Sequence, residues 1–202
     1  EDLPVNQGVF EPVEILTRRG SLLEVEYPGG VAAGNVETSQ RVVDLLLRAF
    51  SKLLPERVPA ASQGTMNNVS FGCEVDGDRC SYYETLGGGS GGHPDGPGLS
   101  GRQVHMTNTQ NTPIEEFERS FPLLVEQLEL RPGSGGDGDH PGGDGLRKTW
   151  RALAPIQVSL LTERRRTAPY GLHGGEPGQP NLPPQHKHRL GRRGDKQPAV
   201  AR

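Results

Sequence analysis

The chain has 202 residues, of which 32% are apolar and 5% aromatic, with 29 glycines and 18 prolines. That is enough for one domain and an appendage, with a core confined to a few segments joined by long irregular connections. The net charge of −3 is unevenly spread: residues 176–202 carry six Lys/Arg and two Asp/Glu, a balance of +4, leaving −7 on the rest. An acidic body argues against nucleic acid as a partner, because phosphate neutralisation needs clustered Lys and Arg. No apolar run approaches the ~20 residues needed to cross a bilayer.

The N-terminal sequence Glu1-Asp2-Leu3-Pro4 has neither a methionine nor a signal-peptide pattern, and reads as a fragment or processed piece of something longer. Residues 1–34 are turn-rich, with a strand expected at Pro12–Leu16. The clearest helix is expected over Thr38–Leu54. There Val42, Leu46, Ala49, Phe50 and Leu53 form one apolar stripe, read as the core side. Arg41, Asp44, Arg48 and Lys52 fall toward the polar side. Asn35, Thr38 and Ser39 offer capping oxygens and Pro55 ends the helix. Asn35, Gln40 and Arg41 at its start are the functional candidates, since helix N-termini attract anions. The amide-rich stretch 59–68 reads equally as a polar pocket lining or as a loop satisfying its own backbone.

Cys73 and Cys80 bracket an Asp76-Gly77 hairpin turn that sets Val75 against Asp78, Glu74 against Arg79 and Cys73 against Cys80. A disulfide fits that geometry. Two cysteines in a chain of this length nevertheless favour free thiols and a reduced, cytoplasmic protein.

From Gly87 to Gly101 the chain is too poor in side chains to form a packed element. Such a run brings backbone N–H groups close to a ligand, or serves as a flexible linker between hairpin strands at Tyr82–Tyr83 and Val104–Met106; the linker is the expectation on this stretch alone. Glu84, Thr85, His105, Thr107 and Asn108 stand at the two mouths of this run. Thr112-Pro113-Ile114-Glu115 opens a short helix through a capping box, with Ile114, Phe117 and Phe121 on its buried side and Pro122 at its end. Strands are expected at Leu128–Arg131, Leu146–Leu153 and Ile156–Leu161. The second glycine segment, 133–145, contains Asp137, Asp139, His140 and Asp144, but at a spacing that matches no EF-hand loop, and no metal ligand is assigned. Little packed structure is expected after Pro177. The fold class is α+β: a mainly antiparallel sheet, one major helix, long glycine-rich loops and a disordered C-terminal tail, divided into a body over 1–175 and a basic tail over 176–202.

No P-loop, Cys-x-x-Cys, His-Glu-x-x-His or Gly-x-Ser-x-Gly motif occurs. What does stand out is a series of phrases in fixed order. They are Pro4-Val5-Asn6-Gln7-Gly8, Gly34-Asn35-Val36-Glu37-Thr38-Ser39-Gln40-Arg41, and Ala60-Ala61-Ser62-Gln63-Gly64-Thr65-Met66-Asn67-Asn68. Then come Tyr82-Tyr83-Glu84-Thr85 before glycines, His105-Met106-Thr107-Asn108-Thr109, Thr112-Pro113-Ile114-Glu115, Ser134-Gly135-Gly136 and Gly171-Leu172-His173-Gly174-Gly175. In this order they resemble the hydantoinase B family, over about residues 1–175.

The resemblance implies the C-terminal part of a B-type component in an ATP-dependent cyclic-amide hydrolase, of the 5-oxoprolinase or N-methylhydantoinase type. It implies ATP on a companion hydantoinase A-like subunit or fused region, and a divalent metal, where one is used, upstream of this segment. Two alternatives stand beside it: a non-catalytic structural or subunit-docking module of such a complex, and part of a related ATP-dependent ketone carboxylase. By residue chemistry Glu84 is the candidate to hold or deprotonate water and His105 to transfer protons. Asn35, Arg41, Asn68, Thr107 and Asn108 are the substrate-binding candidates.

Overall fold

The computed structural model describes residues 6–183. The chain divides into two compact units, 1–34 and 35–202. Within the first, a 3-10 turn spans Gln7–Phe10, and the Asn6 side chain caps it by accepting from Gly8 N. The strand expected at Pro12–Leu16 does not form. Val13 and Ile15 are 54% and 79% exposed, and no neighbouring segment pairs with them. A strand without a ladder partner has nothing to satisfy its backbone.

The second unit opens with the helix α1, Ser39–Phe50, entered through a π-helical turn that ends at Thr38. Thr38 makes no side-chain cap bond; the Ser39 hydroxyl turns back to Val36 O instead. The orientation of α1 is the reverse of the expected one. Its buried residues are Gln40 and Asp44, following buried Glu37, whereas Leu46, Phe50 and Leu53 are 52%, 47% and 76% exposed. The apolar stripe is therefore not core in this chain. The polar face is turned inward because it finds specific partners there.

Strands β1 (Asn68–Val75) and β2 (Asp78–Thr85) form the hairpin in the expected register, with Cys73 opposite Cys80. Asp76 and Gly77 both have positive φ, 52° and 90°, as a two-residue turn of this hand requires. The expectation of free thiols is corrected: Cys73 and Cys80 are joined as a disulfide, their Cα atoms 5.1 Å apart. Direct cross-strand opposition brings the two sulfurs together whatever the chain length, so the cysteine count no longer argues for a reducing compartment.

The helix α2 (Ile114–Ser120) follows. It lacks the expected capping box: Thr112 Oγ1 accepts instead from the Tyr82 hydroxyl at 2.9 Å. β3 (Leu123–Arg131) and β4 (Gly145–Ala152) form a two-stranded antiparallel sheet with a bulge between Val125 and Gln127. β5 (Ile156–Leu161) pairs antiparallel with β1, giving the order β2-β1-β5. The core is small. Phe71, Phe117 and Leu123 are buried at its centre, with Tyr82, Phe121, Val125, Trp150 and Ile156 against them. The rings of Phe71, Tyr82, Phe117 and Phe121 meet at centroid distances of 4.9–5.9 Å.

The glycine run is not a linker, and Val104–Met106 is not a strand. Gly98 N donates to Pro141 O and Gly101 N to Asp144 O. Ala60 N donates to Gly92 O and Gln63 N to Gly89 O. Glu176 N donates to Asp137 O and Gln179 N to Ser134 O. In each pair of segments the bonds recur every third residue. Three residues per turn without internal bonds is the repeat of a polyproline-II helix, whose amides are free to bond sideways. The glycine segments thus pack on one another through backbone hydrogen bonds with a three-residue repeat. The absence of Cβ is what lets them approach: one added at Gly89 would lie 1.8 Å from Gly143 O, and one at Gly135 2.0 Å from Gly142 O.

Packed structure also continues beyond Pro177. Gly178 N donates to Pro169 O, Asn181 N to Arg164 O, and Arg131 reaches Gln179 and Pro180. The remainder of the expected tail, residues 184–202, lies outside the described residues. Among the described residues no helix is long and apolar enough to cross a membrane.

Candidate functional site

The inward face of α1 carries the densest polar group. Asp44, 2% exposed, places Oδ1 2.9 Å from His105 Nε2 and 3.1 Å from Ser62 Oγ, and accepts from Ser62 N at 3.3 Å. Its Oδ2 pairs with Arg164, itself 5% exposed. The Tyr170 hydroxyl donates to the Asp44 carbonyl, and Arg48 lies 4.9 Å over the Tyr170 ring. Burial alone would raise the Asp44 pKa. The His105 hydrogen bond and the Arg164 charge outweigh it, and the net shift is downward.

An ionised Asp44 takes the Nε2 proton of His105 as a donor, which leaves Nδ1 as the ring's basic nitrogen. Nδ1 has no hydrogen bond among the described residues. His105 sits at φ 54°, and its side chain is 14% exposed. Ser62 does not complete a nucleophilic triad. It meets the same nitrogen as Asp44, at 3.0 Å, whereas a Ser–His–Asp relay uses opposite ring nitrogens.

Glu84 belongs to a different group. Its carboxylate is ion-paired with Lys148, the two side chains 5% and 4% exposed, and accepts from the Tyr82 hydroxyl at 2.9 Å and Asn111 Nδ2 at 2.8 Å. Lys148 in turn lies 5.4 Å from the Phe117 ring centroid and 5.3 Å from that of Trp150. Burial, with the Glu84 carboxylate beside it, pushes the Tyr82 pKa up to about 12.

The other predicted residues are scattered. Asn68 spends its amide on Glu37 Oε1 at 2.6 Å and Leu161 O at 2.9 Å, and accepts from Tyr83. Thr107 is buried and accepts from Gln40 at 2.8 Å. Asn35 and Asn108 are exposed. Arg41 reaches Thr167 Oγ1 at 3.3 Å through Nη2, while its buried Nη1 has no partner among the described residues. Glu37 accepts through Oε1 only; its buried Oε2 has no partner among the described residues, and burial raises its pKa.

A cavity of about 420 Å³ lies among the glycine segments, with Gln63, Asn67, His140, Arg164 and Tyr170 in its lining. It adjoins the Asp44 group through Arg164 and Tyr170. The peptide N–H groups of Gly88, Ser90, Gly98, Gly142 and Gly143 are spent on other backbone carbonyls and hold the glycine segments together. Asp144 likewise serves the fold, accepting from Ser134 N and Gly135 N.

Residues 1–199 match the family described as Hydantoinase B/oxoprolinase. The chain belongs to that family. It is 48% identical over 177 residues to 5-oxoprolinase 1 of Arabidopsis thaliana, covering 88% of this chain and 13% of the relative. A 5-oxoprolinase of Dictyostelium discoideum is 42% identical over 181 residues, covering 90% and 14%. A Pseudomonas protein named as the B-type component of a D-/L-hydantoinase is 28% identical, covering 88% and 30%. This hydantoinase B-type chain therefore spans a minor part of the curated relatives it matches. In fold it is similar to acetone carboxylase in its nucleotide-free structure, at TM-score 0.56 and 21% identity, over 67% of this chain and 19% of the other.

Sequence reasoning missed Asp44, Ser62, Arg164 and Lys148. One signal was available: Glu37, Gln40 and Asp44 recur at i, i+3 and i+7, a second helical stripe opposite the apolar one.

Proposed function

We propose that this chain is part of the B region of an ATP-dependent cyclic-amide hydrolase of the 5-oxoprolinase or N-methylhydantoinase type, with His105 as its proton-transfer residue. One observation carries the assignment: His105 Nε2 is held at 2.9 Å by buried Asp44, while Nδ1 is left unbonded among the described residues. A histidine oriented by a carboxylate and open at its other nitrogen is the arrangement a general base requires.

ATP supplies activation of the poorly electrophilic amide carbonyl. Its place in this reading is the A-like subunit or region, as the family resemblance implies. Here His105 Nδ1 takes a proton from the attacking water and returns it to the departing ring nitrogen. Asp44 keeps the proton on Nε2 throughout. Asn35 and Asn108, both exposed, and Arg41 are the sequence-predicted binding residues with groups left to offer a substrate. Asn68, Thr107 and Glu84 act as positioning residues, since their side chains already serve other protein groups.

The test uses the complete B-type protein with its A-like partner, assayed for ATP-dependent hydrolysis of 5-oxoproline and of a hydantoin. His105→Gln is expected to lower kcat by about a hundredfold or more with KM nearly unchanged. A loss under tenfold overturns the role.

A further inference from the structure

We propose that Arg41 is a specificity-determining residue, an anchor for a free carboxylate carried on the cyclic-amide substrate. The inference deepens the hydrolase reading and rests on it. Its basis is a charge imbalance around Asp44. Arg164 pairs with the Asp44 carboxylate at Oδ2, and His105 meets it at Oδ1. Arg41 stands three residues before Asp44 on α1, which makes the two neighbours on one side of the helix. Burial lowers the Arg164 pKa, Asp44 raises it and Arg41 lowers it, so the two guanidiniums act on one another. Two cations thus share one carboxylate, and Arg41 is the one left over.

No carboxylate pairs with Arg41 among the described residues. Its hydrogen bond there runs from Nη2 to the Thr167 hydroxyl at 3.3 Å, and its buried Nη1 has no partner. A buried donor without an acceptor is costly, and more so when it is charged. Arg48, the third guanidinium of the group, does not share this state. It is exposed, where water solvates it, and it lies over the Tyr170 ring.

Charge and position together select the ligand. A guanidinium presents paired N–H donors that match the two oxygens of one anion. With Asp44 already neutralising Arg164, one unit of charge is left for the ligand, which suits a carboxylate better than a phosphate dianion. Entry is from the Thr167 side. Thr167 is exposed, and its hydroxyl is a long, neutral contact that a carboxylate oxygen displaces. Asp44 ties the anchor to the base, since one side chain fixes both the His105 ring and the cation that feels Arg41. A substrate held by a charge that its reaction leaves untouched spends that binding on placing its ring. 5-Oxoproline carries such a carboxylate, and unsubstituted hydantoin does not.

The complete B-type protein with its A-like partner is assayed on 5-oxoproline and on its carboxamide, which keeps the ring and lacks the charge. Arg41→Met should lower kcat/KM for 5-oxoproline by about a hundredfold, mostly through KM, and the loss on the carboxamide should be at least about tenfold smaller. Arg41→Lys keeps the charge but not the paired donors, and should lose about tenfold on 5-oxoproline. His105→Gln acts on kcat for both substrates, so the ratio between them stays, and the two assignments fail separately.

Titration of the 202-residue chain gives a readout independent of turnover. 5-Oxoproline should shift the Arg41 Nε–H resonance saturably, and the carboxamide should not. Thr167→Asp brings a carboxylate to the group that Arg41 already touches, and should abolish the shift. Equal losses on both substrates, equal shifts by both ligands, or a Thr167→Asp chain that binds as the parent does would each overturn the proposal. So would no shift at about 50 mM 5-oxoproline, or a shift by inorganic phosphate at about a tenth of that concentration. An Arg41→Met protein that keeps the parent's preference for the charged substrate would assign the site to an acidic side chain of the polypeptide instead.

Discussion

Asp44 and His105 are 61 residues apart in sequence, yet their side chains meet at 2.9 Å, one from the inner face of α1 and the other from a loop residue in the left-handed region. The same carboxylate neutralises Arg164. Asp44→Asn leaves the buried guanidinium without its counter-charge and is expected to destabilise the fold by about 3–5 kcal/mol. Pairing it with Arg164→Met should recover part of that loss, because the uncompensated charge is then gone. Since the folded pKa of Asp44 is depressed, its contribution is fully present above the unfolded value near 3.8 and is lost as pH falls through the folded pKa. Urea titrations of parent and Asp44→Asn at pH 7 and below about pH 3.5 check this. Their difference should shrink at the acidic end.

The glycine seam predicts a position-dependent alanine scan. Gly89→Ala and Gly135→Ala would drive a methyl group into carbonyl oxygens at 1.8 and 2.0 Å, and backbone cannot yield as a flexible side chain does. Losses of about 3 kcal/mol or more are expected, at or beyond the upper end of the range for overpacking. Gly138→Ala meets nothing nearer than Gly175 Cα at 3.5 Å and should cost under about 1 kcal/mol. Thermal melts of the three variants separate a packed seam from a linker, in which all three would be equivalent.

The hairpin, the presence of the later strands and much of the aromatic core are legible in the sequence because local signals decide them. Asp76-Gly77 fixes the β1–β2 register, and Phe117 is 1% exposed on the helix face expected to be buried, although Ile114 on that same face is 37% exposed. The long segments escape such reading for two physical reasons. Glycine carries no side-chain pattern, so a three-residue hydrogen-bond period leaves no trace in hydrophobicity. The burial of α1 comes out inverted because its apolar stripe dominates any periodicity count, while Glu37, Gln40 and Asp44 acquire their partners only from segments distant in sequence. Of the predicted site, His105 falls within the densest polar group, but its orienting acid lies on the helix face that periodicity turns outward. Glu84, at the opposite mouth of the glycine run, joins a separate ion pair.

The Cys73–Cys80 bond closes a short hairpin loop, so its effect on the unfolded chain is modest. About 2 kcal/mol is the expected contribution. Treatment with a reducing agent should lower the melting temperature by several degrees, and Cys73→Ser with Cys80→Ser should reproduce that value and become insensitive to the reagent. A thiol titre of two in the untreated native protein would return the pair to free cysteines.

The C-terminal boundary yields the last test. Composition alone predicts that ending the chain after Gly175 is harmless, because the residues beyond it are Pro-rich and aperiodic. The hydrogen bonds predict otherwise. Glu176 N, Gly178 N, Gln179 N and Asn181 N donate to carbonyls of Asp137, Pro169, Ser134 and Arg164, and the Asn181 side chain donates to Asn67 Oδ1 and Glu163 O. Removing them strips partners from the second glycine segment and from the loop that holds Arg164 against Asp44. At about 1 kcal/mol for each net hydrogen bond, the loss is several kcal/mol, a large part of a domain's stability. The comparison is between chains ending at Gly175 and at Pro183, followed by thermal melting and by hydrogen exchange at the Asp137 and Ser134 loop. The shorter chain should melt at least about 10 °C lower and exchange faster there. Equal melting temperatures would show that residues 176–183 add nothing to the fold.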